Sequence, residues 1–358
     1  MPGYVHLDDA RSLRRLTGGI LYDHRVCLRF GEEGFQVDCF DLDTLPRTAK
    51  FLRFPATACL RRNSPDFDIL VSDLGNSTLT MGFQEHARRT GRLTVLICHH
   101  FRSGLESTPL RRLLHRYSEA RVVGGAQLLV ANSPHTVSVL KSMGRHQGDI
   151  VLAPPGLSVP VASEPVCRDE PREILSVCGI EPRKGVMEMV RALGASGLPD
   201  ITLTIAGDLG QDTGYTKRVL ELIGELGLSS RVRLPGRMTR EELVGAYGSA
   251  DAFMLLSGWE GYGMAIAEAM ASGLPIISTT AGAIPGLVED GEAGLLVAPG
   301  DWKGAAERID MLFTDRGLRR RLASEALKRA SGFPTWEETT GRTVNAVRER
   351  LAGRREPR

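Results

Sequence analysis

The chain has 358 residues, of which 42% are hydrophobic and 25% charged, with a formal net charge of +2. That length suits two domains of ordinary size, and the composition is that of a globular protein. The balance of charge argues against a bulk nucleic-acid binder, although it is uneven: 20 Lys/Arg face 16 Asp/Glu in residues 1–165, and 25 face 27 beyond.

In the first half Tyr4–Leu7, Gln36–Phe40, Ile69–Ser72, Leu93–Cys98, Gln127–Ala131 and Ile150–Ala153 read as strands. Residues 19–30, 77–91, 109–122 and 134–143 read as helices between them. Pro154–Pro171 holds five prolines and has linker composition. Beyond it, Glu173–Cys178 is a short apolar run fit for a buried parallel strand. The loop Gly179–Gly185 follows, then helical spacing over Val186–Leu193. Ile201–Ala206 is the next strand, closed by the Gly207-Asp208 turn. An amphipathic helix over Thr216–Leu226 ends at Gly227. After the strand Arg231–Leu234, Thr239–Glu242 is a capping box that opens a helix through Tyr247. Ala252–Leu256, Pro275–Ser278 and Gly294–Val297 are further strands, with helices over Met264–Ala271 and Trp302–Phe313. The tail after about Gly353 is expected to fray.

Strands alternating with helices predict an α/β chain of two doubly wound, Rossmann-like domains, 1–155 and 172–332. They are joined by a linker over 156–171, with a last helical segment over 333–358. Such domains would face a central cleft, with ligands at the carboxyl ends of the strands. The six cysteines (Cys27, Cys39, Cys59, Cys98, Cys167, Cys178) form no C-x-x-C pair and are expected to be reduced thiols of a cytoplasmic protein. The N-terminal stretch has no apolar signal core, and no run approaches the roughly 18–20 apolar residues of a membrane span, so any membrane contact is expected to be peripheral.

Ser257–Glu268, SGWEGYGMAIAE, concentrates the chemistry. Glu260 and Glu268 flank a Gly-Tyr-Gly turn that leads into a helix. Gly261 and Gly263 permit close approach of the backbone to a ligand, and the helix would aim its positive end at the same spot. Two carboxylates beside an anion cradle suit a ligand with hydroxyls on either side of a phosphate, as in a nucleotide sugar. Spacing alone also arises by chance in a chain with 43 acidic residues. Arg183-Lys184, in the loop after the first strand of the second domain, can clamp a diphosphate or be a solvated pair. Gly207-Asp208 reads as an ordinary tight turn, and Thr280–Gly286 as a loop that can line the same pocket. His99-His100 ends a strand, where a histidine can meet a sugar hydroxyl or a phosphate oxygen or serve a structural role. Gly18-Gly19 follows the first strand but forms no G-x-G-x-x-G, so a nicotinamide or flavin cofactor is not indicated, and there is no P-loop. Asp41–Asp43 and Asp66–Asp68 are acidic pairs without neighbouring ligands and are taken as chance. The segment 102–121 interleaves Arg102, Arg111, Arg112, Arg116 and Arg121 with Leu105, Leu110, Leu113, Leu114 and Tyr117. The commoner explanation is a solvated face over a buried leucine stripe; the alternative is contact with an anionic membrane.

These segments together resemble the retaining GT-B glycosyltransferases with an E-x7-E motif (glycosyl transferases group 1, glycosyltransferase family 4-like). The resemblance covers nearly the whole chain and is strongest from about 173 to 300. It runs through ILSVCGIEPRKG, LTIAGD, VRLPGRMTREELVGAYGSADAFMLLSGWEGYGMAIAEAMASGLPIISTTAG and GEAGLLVAPGD. It implies the GT-B fold and transfer of a sugar from a nucleotide-diphosphate sugar to a lipid or glycan hydroxyl, with no cofactor and no required metal. Arg183 and Lys184 would neutralise the diphosphate, and Glu260 would hold hydroxyls of the transferred sugar. The backbone at Tyr262, Gly263 and Met264 would cradle phosphate, and Glu268 would bind ribose. His99 or His100 would sit near donor sugar and acceptor, while Gly18, Gly19 and Gly207 would serve the donor side. This chain has Gly286 in AIPG, where the family often carries an acidic residue after the proline. Other readings are a GT-B epimerase or phosphorylase, or a catalytically idle nucleotide-sugar binder. The expected location is the cytoplasm, including the inner face of the cell membrane.

Overall fold

The structure is a computed structural model and describes residues 3–8, 18–41, 67–104 and 108–355. By internal packing it divides into two compact units. One holds the described residues up to Gly156 together with those from Pro334 onward; the other is Leu157–Phe333.

The first unit contains β1 (Gly3–Asp8), α1 (Gly18–Glu32), β2 (Gln36–Asp41), β3 (Ile69–Asp73), α2 (Ser77–Arg89) and β4 (Leu93–Cys98). It continues with α3 (Pro109–Gly125), β5 (Leu128–Ala131), α4 (Pro134–Ser142) and β6 (Ile150–Leu152). Its sheet is parallel with strand order β2-β1-β3-β4-β5-β6. Helices on both faces leave the middle strands no solvent, and every residue of β4 and β5 is buried. The side chain of Thr94, the polar residue inside β4, donates to the Gly125 carbonyl.

The second unit contains β7 (Glu173–Val177), α5 (Val186–Ala195), β8 (Thr202–Ala206), α6 (Thr213–Glu225), β9 (Val232–Gly236), α7 (Arg240–Ser249) and β10 (Ala252–Leu255). Then come α8 (Met264–Ala271), β11 (Ile276–Thr279), α9 (Ile284–Val288), β12 (Gly294–Val297), α10 (Trp302–Thr314) and α11 (Arg316–Ala330). The order β12-β11-β10-β7-β8-β9, again parallel, reverses direction between β7 and β10. The capping box reads as expected: Thr239 accepts from the Glu242 N–H while Glu242 accepts from that of Thr239.

Three elements differ from expectation. α6 starts at Thr213 because Asp212 caps it by accepting the Tyr215 N–H at 2.9 Å, a cap worth about 1 kcal/mol that lies ahead of the apolar spacing. The Thr280–Gly286 loop runs into the short helix α9, with Pro285 in its first turn. α11 shows no clear apolar stripe in the sequence, since apart from Leu322 it buries only alanines and the whole of Arg319. That guanidinium donates to the carbonyls of Leu312 and Arg168 at 2.9 Å each. Cys27, Cys98, Cys167 and Cys178 are free thiols. The side chains of Cys39 and Cys59 lie outside the described residues, as do Leu105, Asp43, Asp66 and the tail after Arg355.

The last helix, α12 (Trp336–Arg355), belongs to the first unit. Val344 and Val347 enter its core beside Tyr22, Val26 and Phe30 of α1. Thr339 Oγ1 donates to the Pro154 carbonyl at 2.6 Å. A Cβ on Gly156 would lie 2.2 Å from the Trp336 nitrogen, so this backbone crossing requires glycine. Gly156→Ala is therefore expected to cost about 1–3 kcal/mol by overpacking. A urea melt checks this; an unchanged midpoint would show that the crossing is not close in solution.

Candidate active site

In an open parallel sheet the strand order reverses where crossovers leave toward opposite faces, and the carboxyl ends of the two strands there border a crevice. In the second unit those strands are β7 and β10. The chain leaves β7 through a 3₁₀ turn, Pro182–Lys184, that carries Arg183 and Lys184. It leaves β10 through Leu256–Glu260. The sequence presents the first segment as a plain loop; the turn is set by Pro182 and by Gly185, which has φ +67°.

Backbone contacts stitch these loops together. Gly258 N donates to the Arg183 carbonyl at 2.8 Å, and a Cβ on Gly185 would lie 2.0 Å from the Leu256 oxygen. The loop after β11 joins them: Ala283 N donates to the Glu260 carbonyl at 2.9 Å and Thr279 Oγ1 to the Ser257 carbonyl at 2.6 Å. The side chains of Glu260, Lys184 and Arg183 are thereby brought to one point from positions 76 residues apart.

Glu260 is only 7% exposed. Its Oε1 accepts from Lys184 Nζ and from Ser257 Oγ, each at 2.7 Å, and lies 3.7 Å from Arg183 Nη1. Burial pushes this carboxyl up, but Lys184, Arg183 and the Ser257 hydroxyl outweigh it and hold the pKa below the usual value. Arg183 is itself fixed, donating to the Trp259 carbonyl at 3.1 Å and to Glu181 at 2.7 Å. Gln211 donates in turn to the other Glu181 oxygen. Ser257 and Glu181 were missed as site residues. Ser257 stands at the head of the motif, whereas Glu181 gives no signal beyond its place in the loop.

Gly263 caps α8 with φ +102°, a conformation that favours glycine, and Tyr262 beside it is buried. Met264 opens the helix. Glu268, half-buried on α8, accepts from the fully buried Tyr247 hydroxyl at 3.0 Å. Burial holds its carboxyl above the usual value despite that bond. Tyr247 lies 21 residues away on α7, and nothing in the sequence marks the pairing. At Gly207 a Cβ would lie 1.8 Å from the Cys178 carbonyl, so the glycine lets the ends of β7 and β8 close up. Asp208 pairs with Arg237 at 2.9 Å.

The first unit holds a separate cluster. His99, at the end of β4, is buried, and its Nε2 lies 2.8 Å from Asp23 Oδ1 on α1. The ring of Tyr22 meets it edge-on, and Tyr22 OH donates to the Ala153 carbonyl at 2.9 Å. Gly19, in the first turn of α1 after Gly18, faces the same imidazole; a Cβ there would come within 3.4 Å of it. Asn132 donates to the His99 carbonyl. His100, next along the chain, is half-buried. Asp23 was not expected, since a partner 76 residues distant leaves no local signal. Among the described residues no group of three or more His, Cys, Asp or Glu is placed to hold a metal ion.

Residues 163–329 match the family described as glycosyl transferases group 1. D-inositol 3-phosphate glycosyltransferase of Paenarthrobacter aurescens is 31% identical over 274 residues, 72% of this chain and 65% of that protein. MMP alpha-(1->4)-mannosyltransferase of Mycolicibacterium hassiacum is 29% identical over 63% of this chain and 54% of its own length. The chain thus spans less than two thirds of these relatives. Sucrose-phosphate synthase of Thermosynechococcus elongatus superposes with a TM-score of 0.82 at 18% identity, covering 99% of this chain and 100% of that one. HepE of Anabaena, solved with UDP and glucose, superposes at 0.77 with 18% identity, covering 98% and 100%. These likenesses show the fold, which is GT-B.

Burial alone would lower the His99 imidazole, but the Asp23 carboxylate overrides it and the pKa is pushed up to about 9, from an ordinary 6.5. A raised folded-state pKa stabilises the protein fully below 6.5, and the contribution is lost as pH rises through about 9. Urea melts across that window should show a decline of at most about 3 kcal/mol from this pair. Asp23→Asn should flatten the decline; an equal decline in the variant would place its origin elsewhere.

Proposed function

We propose that this chain, whose residues 163–329 belong to the glycosyl transferases group 1, moves a sugar from a nucleotide-diphosphate sugar to a hydroxyl of a lipid or glycan. The observation that carries this reading is the Lys184–Glu260–Ser257 constellation, fixed with Arg183 at the point where the strand order of the second sheet reverses. The site offers what the chemistry needs. An ammonium has three protons, so Lys184 can hold Glu260 and still donate to a phosphate oxygen. Arg183, anchored by Glu181 and the Trp259 carbonyl, adds fixed positive charge, and the N-terminus of α8 lies at the end of the same loop. This charge takes the role of a cation at the diphosphate, so no metal is required.

In the reaction the bond between the sugar C1 and the phosphate oxygen breaks, and its electron pair leaves with the nucleoside diphosphate. The acceptor oxygen bonds to C1, and its proton passes to the departing phosphate. Arg183 and Lys184 stabilise the charge that develops there. Glu260 holds sugar hydroxyls, and Glu268, set by Tyr247, accepts from the ribose. The family resemblance supports attack on the face the leaving group occupies, with retention. Within the first unit His99 is held by Asp23, and the family resemblance gives it a part in the transfer. The reading extends to an acceptor held at the cytoplasmic face of a membrane. The relatives named for D-inositol 3-phosphate make a phosphorylated polyol the soluble acceptor to try beside lipids.

The test is thermal shift with UDP-, GDP- and ADP-sugars, with nucleotide release measured in the same samples. Binding to the folded state alone raises the melting temperature. One nucleotide family should stabilise the protein and be released slowly, unaffected by EDTA. Glu260→Gln and Lys184→Ala should each lower turnover about 10²–10³-fold, as loss of one charge-stabilising group does, with the fold intact. Binding without release across acceptors would favour an idle binder. A change of donor sugar with no release would favour an epimerase. No shift with any nucleotide sugar would remove the donor site.

A further inference from the structure

Helix α3 has a face that the fold does not use. Its buried residues are Ser118, Glu119, Val122 and Val123. Leu110, Leu113, Leu114 and Tyr117 are instead 68%, 64%, 56% and 55% exposed. This overturns the expectation of a buried leucine stripe under a solvated face: the stripe is the solvated face. The reason is register. Spacing of three, four and seven residues puts the four apolar side chains in one row, with the buried positions roughly opposite. Single exposed leucines need no explanation, but four large apolar groups in a row do.

The charge around that row has one sign. Arg111, Arg112, Arg116 and Arg121 are all exposed on the same helix. Its one acidic residue, Glu119, is turned inward and accepts from the Ser103 N–H at 3.0 Å and from its hydroxyl. Arg102, just before the helix, is also exposed. Among the described residues no helix, α3 included, is long and apolar enough to cross a membrane.

We infer that the outward face of α3 docks on an anionic lipid surface. Leu110, Leu113, Leu114 and Tyr117 enter the boundary between headgroups and acyl chains, while the arginines meet lipid phosphates. A helix with apolar and cationic groups on its free face suits that interface, where both kinds of side chain find partners at once. A neutral protein partner would offer the arginines no opposite charge. This deepens the reading of the acceptor as membrane-held and rests on it only for its biological sense; the surface itself is independent of the donor site.

The test is cosedimentation of the whole chain with vesicles of phosphatidylcholine alone and of phosphatidylcholine mixed with phosphatidylglycerol. Binding is expected only to the mixed vesicles and should weaken with salt. Arg111→Gln/Arg116→Gln should lower the partition coefficient about 25-fold, at roughly a factor of five for each arginine near the surface. Leu113→Ser/Leu114→Ser should abolish binding. Both variants change exposed residues, so their melting midpoints and nucleotide-sugar thermal shifts should match those of the unsubstituted chain. Failure to bind the mixed vesicles, or equal binding by the variants, overturns the proposal. So does a dimer in analytical ultracentrifugation that Leu113→Ser/Leu114→Ser dissolves, because the face would then belong to a second copy. Absence of any nucleotide-sugar shift would sink the donor reading and leave the vesicle result standing.

Discussion

A carboxylate withdrawn from water must be met by positive charge and by hydrogen bonds, or it does not stay ionised. Glu260 is such a group, and the loops around it are organised to meet that demand. Lys184 and Ser257 close on one oxygen, and Arg183 stands just beyond. None of these could arrive without the backbone contacts that hold the ends of β7, β10 and β11 together. Those contacts require glycine at 185 and 282, where a Cβ would strike the carbonyls of Leu256 and Glu260. A charge requirement in the side chains is thus satisfied by a steric requirement in the main chain.

The two units place their polar clusters by the same rule. Parallel strands with right-handed crossovers put loops, and the side chains they carry, at the carboxyl ends. His99 at the end of β4 and Lys184 and Glu260 after β7 and β10 all follow from it. The clusters differ in how the charge is settled. In the second unit a buried carboxylate is depressed by two cations. In the first, a buried imidazole is raised by a carboxylate, which keeps it cationic at neutral pH. In each cluster the buried group is held in its charged form by the partner it meets.

Much of the second unit's candidate site was legible. The E-x7-E spacing, the glycines at 261 and 263 and the Arg183-Lys184 pair stand in short segments whose chemistry shows in residue type. What could not be read were the partners. Asp23 meets His99, and Tyr247 meets Glu268, across separations that leave no local periodicity. At Gly207 the turn was visible, but not that its small size lets the ends of β7 and β8 close up. α11 escaped notice because alanines and a buried arginine replace most of the larger apolar residues that mark a helix face.

By itself the sequence determined the alternation of strands and helices, the capping box at Thr239 and the grouping of glycines and carboxylates in the loop after β10. These are local properties, fixed by side-chain period and backbone freedom within a few residues. Tertiary structure alone decided which side of α3 faces outward, because its leucines and its buried valines share one helix and only packing against neighbours selects between the two faces. It alone decided, too, that Lys184 and Glu260 meet. That contact follows from the reversal of strand order, a property of the sheet as a whole and of no single segment in it.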